Sequence, residues 1–492
     1  MVHSQPITAG ARRWRAGRPL PWAMSQSGHS SGATGGGAGG SDGAPGPGPA
    51  PFDASQPHLA RPKLRPVRGF PAEGTTPEGQ TVQMLGLADA QQISDKVVMT
   101  APVWAIVLPL LDGSRTVDQV VSQVGRGLTR PMLEQLLAQL DDAGMLEGPR
   151  FAQMLAGVHA DFDSQPVLPP GSTAAFADAV AHQAGVPQDA PEHERHAVAV
   201  REVPKLLDQW IAHALKDAAD PALTALPKAI VAPHLDYARG WINYAHAYGR
   251  LRVADRPDRV IILGTNHFGR GTGVTACDKG FSTVLGACQA DQGVINGMRH
   301  LLGQGLFEHR YDHEREHSIE LQLPWIQHVF GKDDSGRYPA VFAALVHDPC
   351  VNDGASYDGA GVALAPFVDA LRRVLAELPG RTLVVASADL SHVGPAFGDP
   401  QRVGGDEPAA VEARRKVLAH DREMLELIEQ GRHAEMVSSM SWQQNPTRWC
   451  SIGCITAAAM ITSPTSVRLL NYNGALDSEG LSLVTSAAMV ME

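Results

Sequence analysis

Three short apolar runs in the second half of the chain each lead to a histidine. Ala229-Ile-Val-Ala runs into Pro233-His234-Leu235-Asp236, and Val260-Ile-Ile-Leu into Gly264-Thr265-Asn266-His267. Leu383-Val-Val-Ala runs into Ser387-Ala388-Asp389-Leu390-Ser391-His392. Ligands of open α/β sheets bind outside the carboxyl ends of the strands, so strand runs that end this way put three imidazoles on one rim. Packing gives no reason for those edge residues to be His. Neutral imidazole is the commonest side-chain metal ligand, and two His with a third donor leave coordination positions open. Cys450, Asp236, Asp389 and Glu320 are the candidates for that third donor.

Two further segments hold reactive types. Cys450 stands in Arg448-Trp449-Cys450-Ser451, directly before the apolar helical run 452–461. A helix dipole favours a thiolate at the N-terminus, which suits metal ligation or nucleophilic attack. Cys454, one turn on, reads as packing, and Cys277, Cys288 and Cys350 show no partner pattern. In His313-Glu314-Arg315-Glu316-His317-Ser318-Ile319-Glu320, His317 and Glu320 are three apart and share a helix face. That spacing suits a ligand pair, an acid/base pair or support for the site. Ile319 and Leu323 mark the apolar side, which favours His317 over His313.

The elements that must position these residues are legible from periodicity. Short β-rich runs recur at 229–232, 259–264, 340–347, 382–387, 467–472 and 481–491, with helical stretches clearest at 409–431 and 452–461. Near-continuous apolar strands alternating with helices indicate a layered α/β domain over 226–492 with a largely buried sheet. Upstream, residues 151–225 read as a linker and connecting helix, the helix falling at 203–216. In 76–150, Thr116 and Thr129 are placed to cap two helices, the second with Leu133, Leu136, Leu137 and Leu140 on one face, and Gly144 stops it before a strand start at Met145-Leu146. Two short helices and a strand predict a small winged-helix-like α+β interaction module. Its second helix exposes Glu134, Gln135, Gln139, Asp141 and Asp142, a poor surface for DNA.

Charge and composition bound the function. Residues 1–70 hold eight Lys/Arg against two acids, a net of +6, so the overall −11 leaves −17 on the rest. An acidic body argues against a nucleic-acid binder. Gly and Pro crowd residues 1–75, which predicts a disordered tail, with Met24 an alternative start. Five scattered Cys make no disulfide framework, no run is long enough to span a membrane, and no apolar stretch follows Arg12-Arg13 as a signal would need. A cytoplasmic protein is expected.

Pro233-His234, the segment 264–267, His317-Ser-Ile-Glu320, the segment 387–392, Arg448-Trp-Cys450 and the segment 483–489 occur in the order seen in the Memo family, also called AmmeMemoRadiSam system protein B. The resemblance covers about 226–492. It implies the fold of the class III extradiol ring-cleaving dioxygenases, which hold non-haem Fe(II) with two His and a carboxylate. It implies metal ligands at His234 and His267, with Cys450 replacing the carboxylate, and an acid/base His392 with Asp389 nearby. Iron or copper is the implied metal, and a redox activity the implied chemistry. Asp236 and Ser451 depart from the family pattern; Asp236 adds a carboxylate that would ligate or orient His234. The 76–150 module resembles the PqqD-type domains found beside radical-SAM enzymes.

The leading expectation is a metal-dependent, dioxygenase-like redox protein acting on a small molecule or peptide. His234, His267 and Cys450 hold the ion in that reading, His392 carries the proton, and Asp389, Asp236, His317 and Glu320 support them. A non-catalytic partner of radical-SAM and AMMECR-type proteins is the second expectation. A hydrolase with Cys450 as nucleophile and His392 as base is the third.

Overall fold

The computed structural model describes residues 50–75 and 80–492. Its first strands are β1 (Val67–Thr75), β2 (Thr81–Asp89) and β3 (Val97–Thr100), an antiparallel meander. They pack on helices Val117–Val124 and Arg130–Asp142, whose Val117, Val120, Leu133, Leu136, Leu137 and Leu140 bury against Leu87 and Val98. Thr116 caps the first helix by a reciprocal pair of bonds with Gln119, as its position predicts. Thr129 is the N-cap residue of the second, without a side-chain bond. Leu146 makes a single bridge to Leu64.

The tail expected to run to residue 75 is corrected. Pro57–Ala60 is helical and β1 pairs with β2 along its length, while residues 1–49 lie outside the described residues. Gly69, Pro71 and Gly74 within β1 hide it from β-propensity.

The expected linker at 151–225 is also more ordered than its composition implies. It carries most of helix Pro149–Ser164, the short β4 (Val167–Leu168) and helices Ser172–Gln183 and Glu192–Leu215. Trp210 of the last packs among Phe176, Tyr237, Trp241 and Trp325, with ring centroids 5.9, 6.2, 6.0 and 6.1 Å away. Such a cluster fixes the helix to the domain downstream.

That domain is a layered α/β fold. Its strands are β5 (Ala229–Ala232), β6 (Arg259–Gly264), β7 (Thr275–Ala276), β8 (Gly280–Thr283), β9 (Gly286–Cys288), β10 (Ala340–Leu345), β11 (Thr382–Ser387), β12 (Asp389–Val393), β13 (Val467–Leu476) and β14 (Leu483–Met491). Eight form one sheet in the order β12-β14-β5-β11-β6-β10-β7, with β13 on β14. β5, β11, β6 and β10 are mutually parallel neighbours, in a register that sets Ala232 beside Ser387 and Leu263 beside Ala386. Their carboxyl ends are therefore level.

Alternate residues of these strands, among them Val231, Leu263, Ala344 and Ala386, join one core with Ile295, Leu371, Met424 and Ile455 from the covering helices. β4, β8 and β9 make a separate small sheet. Among the described residues, no helix is long and apolar enough to cross a membrane.

Candidate metal centre

The level strand ends deliver the site. His234 follows β5 through Pro233 and is buried. Its Nδ1 lies 3.2 Å from the Ser387 carbonyl. A carbonyl only accepts, so Nδ1 donates and Nε2 keeps its lone pair for the site. Burial, before any neighbouring charge, holds this imidazole well below the ordinary His range, and it is neutral at pH 7. Its backbone N–H donates to Asp389 Oδ1 at 3.1 Å. Gln322 ties the strand ends together, donating to the Pro233 carbonyl at 2.7 Å and to Ser387 Oγ at 2.8 Å.

His267 follows β6, and its partner is Glu316. The Glu316 carboxylate takes the His267 backbone N–H at 2.9 Å, Nδ1 at 3.0 Å and the Ser318 N–H at 2.9 Å, and stands 3.3 Å from His317 Nδ1. Burial opposes charge on both residues. The hydrogen bonds win: Cys450 and Glu316 lift His267 to about 10, and His267 draws Glu316 down to about 2. Gly264 allows the close approach, because a Cβ there would lie 2.5 Å from Ser318 Oγ.

One nitrogen from each of His234, His267 and His317 lies within 4.8 Å of the others. The rings of His267 and His317 stack at 4.8 Å, and His234 meets both edge-on at 5.0 and 5.5 Å. His317, expected as support, thus stands in the cluster itself. Cys450 lies against His234, with Sγ 3.3 Å from His234 Nε2 and 3.1 Å from Ser451 Oγ. Helix Ile452–Thr462 presses Gly453 against the chain after β10, where a Cβ would sit 2.2 Å from the His347 carbonyl. Three imidazoles and a thiol, with the Nδ1 atoms turned to outside acceptors, suit a borderline or soft transition metal.

The remaining expected residues divide. Asp389 is buried, its Oδ2 3.7 Å from His234 Nε2, and burial raises its carboxyl to about 7 against the N–H groups of His234 and Leu235. His392 turns Nδ1 to the carbonyls of Leu390 and Arg448 at 2.9 and 3.2 Å.

Asp236 and Glu320 take their hydrogen bonds outside the imidazole cluster. Asp236 caps helix Tyr237–Tyr248 and pairs with Arg239 at a half-exposed position. Glu320 accepts the N–H groups of Gly171, Ser172 and Thr173 at 2.9, 3.0 and 2.8 Å. Free N–H groups at a helix start attract a carboxylate, and that outcompetes the site.

Sequence reasoning missed Glu316 and Asp421. Glu316 had a local signal, an acid directly before His317 at a helix start. Buried Asp421 had none. It accepts from Ser391 Oγ, Trp449 Nε1, Tyr472 OH and Thr485 Oγ1, groups on four separate segments.

A family model described as Memo-like protein matches residues 197–490, more than half of the chain. A MEMO1 family protein of Methanopyrus kandleri is 34% identical over 168 residues, covering 34% of this chain and 53% of that protein. MEMO1 family proteins of Saccharolobus islandicus and Saccharolobus solfataricus are 34% and 32% identical over 169 residues, with the same coverage. The chain thus spans about half the length of the curated relatives it matches.

Proposed function

The chain belongs to the Memo family, and on that premise we propose that its imidazole cluster holds a redox-active iron or copper ion and acts on a small molecule or peptide. One observation carries this reading: three His nitrogens converge within 4.8 Å, beside the thiol of Cys450. His234 and His267 are ligands in it, and His317 and Cys450 are both in reach of the same space. A thiol in the donor set favours iron or copper over magnesium. When bound, such an ion supplies one-electron chemistry. The chain's own contribution is to fix His234 through Ser387, to fix His267 through Glu316, and to keep Asp389 and His392 at the rim as groups able to hold a proton.

Metal analysis of protein purified without added metal is the test, repeated on His267→Ala, His317→Ala and Cys450→Ala. Near-stoichiometric iron or copper in the parent, and its loss in His267→Ala, is expected. Stoichiometric metal in all three variants sinks the ligand set.

The 3.3 Å contact between Cys450 and His234 also favours a second reading, a thiol nucleophile with an imidazole base. The base is then His234, the imidazole that the thiol meets, in place of His392. Rapid alkylation of Cys450 by iodoacetamide in metal-free protein supports it, and an inert thiol removes it.

A further inference from the structure

A pocket of about 330 Å³ opens beside the imidazole cluster, where the small N-terminal unit meets the α/β domain. Both site loops build it: Phe268 and Arg270 follow His267, and Glu314 lies just before Glu316 and His317. Leu155 and Val158 of helix Pro149–Ser164 form the apolar wall, and Gln92 closes it from the loop after β2. The Phe268 ring separates pocket from cluster, with its centroid 5.9 Å from each of the His267 and His317 rings.

The wall leaves Arg270, Glu308 and Glu314 without an ion-pair partner among the described residues. Asp312 is used up by Asn266 Nδ2 and the backbone N–H groups of Arg270 and Gly271. Arg315 is used up by the Gln92 carbonyl and Asp95. The Arg270 guanidinium, by contrast, has no carboxylate partner among the described residues, and the Phe151 ring lies 5.7 Å from it. Glu314 Oε2 is buried without a hydrogen-bond partner among the described residues. Glu314 lines the pocket, so an occupant with an N–H donor gives its carboxylate a partner.

We propose that this pocket binds a small zwitterion of amino-acid or dipeptide size with an apolar side chain. Its carboxylate meets Arg270, its ammonium meets Glu314, and its side chain lies on Leu155, Val158 and Phe268. The volume is at the small end of ligand pockets and matches that size. Calling the occupant a substrate rests on the metal reading above; its binding does not.

Calorimetry on the full chain tests this, with metal stripped and again with metal loaded. The probes are leucine, Leu-Leu and N-acetyl-Leu-Leu-amide. Leucine or Leu-Leu is expected to bind saturably, and the doubly blocked peptide at least about 10-fold more weakly. The tighter of the first two identifies a free amino acid or a chain end as the source. Arg270→Ala, at an exposed position, is expected to weaken binding about 10-fold, and Val158→Trp to abolish it by filling the space. Equal binding of the blocked peptide, no binding of either zwitterion up to about 10 mM, or indifference to Arg270→Ala overturns the proposal. Because stripped protein is included, a failure to bind is separable from a failure to hold metal.

Discussion

Glu316 is the residue on which the cluster turns, because one buried carboxylate serves His267 twice and stands beside His317. Partners of this kind, behind a metal-binding His, usually change affinity 10–100-fold when removed. Glu316→Gln keeps the shape and removes the charge, so competition against a chelator should show metal binding weakened by about that factor. An unchanged affinity would mean that His267 needs no orienting partner. The same pair sets a pH dependence in the metal-free protein. His267 is raised to about 10, so its contribution to stability is complete below its ordinary value and fades as pH climbs toward 10. Glu316 is lowered to about 2, so its contribution is complete above the ordinary carboxylate value and fades as pH falls toward 2. Thermal melts should show stripped parent protein losing stability between pH 7 and 10, and Glu316→Gln losing less over that window. Metal uptake has the opposite trend, since the ion displaces the proton on His267 and affinity rises with pH.

Elements place these groups by close approach and by buried polar ties. Gly453 lets helix Ile452–Thr462 start against the His347 carbonyl, and the start of that helix carries Cys450. Gly453→Ala forces a shift there and should cost about 1–3 kcal/mol in urea unfolding, with altered reactivity of Cys450. Gly157→Ala, in helix Pro149–Ser164 with open space around it, is the control and should stabilise by about 0.5–1 kcal/mol. Equal effects of the two substitutions would remove the packing argument. Asp421 works across greater distance, and Asp421→Ala strands donors from β12, β13, β14 and Trp449 for a loss of about 3–5 kcal/mol. Here lies the boundary of what the sequence reveals. Apolar strands broken by His234, His267 and Asp389 are legible because burial and polarity change within two or three residues. Asp421 is not, because its partners are 28 to 64 positions away and its own helix reads as ordinary amphipathic surface. Glu320 misleads for a related reason: its position on the helix is readable, but its partners Gly171–Thr173 are nearly 150 residues upstream.

Across the whole molecule, the helices upstream of β5 are structural parts of the site. His317 and Glu320 bound one short helix; the first joins the imidazoles and the second clamps the start of helix Ser172–Gln183. Trp210 locks helix Glu192–Leu215 into the same body through Trp325 and Tyr237. If these helices were a linker, removing either tie would cost little and leave the site alone. If they belong to the domain, Trp210→Ala costs about 3–5 kcal/mol, and unfolding stays a single transition by both far-UV circular dichroism and tryptophan fluorescence. Glu320→Ala then leaves three backbone N–H groups of residues 171–173 unpaired. Hydrogen exchange should rise there and at 317–320 together, with weaker metal retention through His317. Exchange that rises at 171–173 alone would show that the clamp does not reach the site, and the upstream helices would then support the fold without tuning its chemistry.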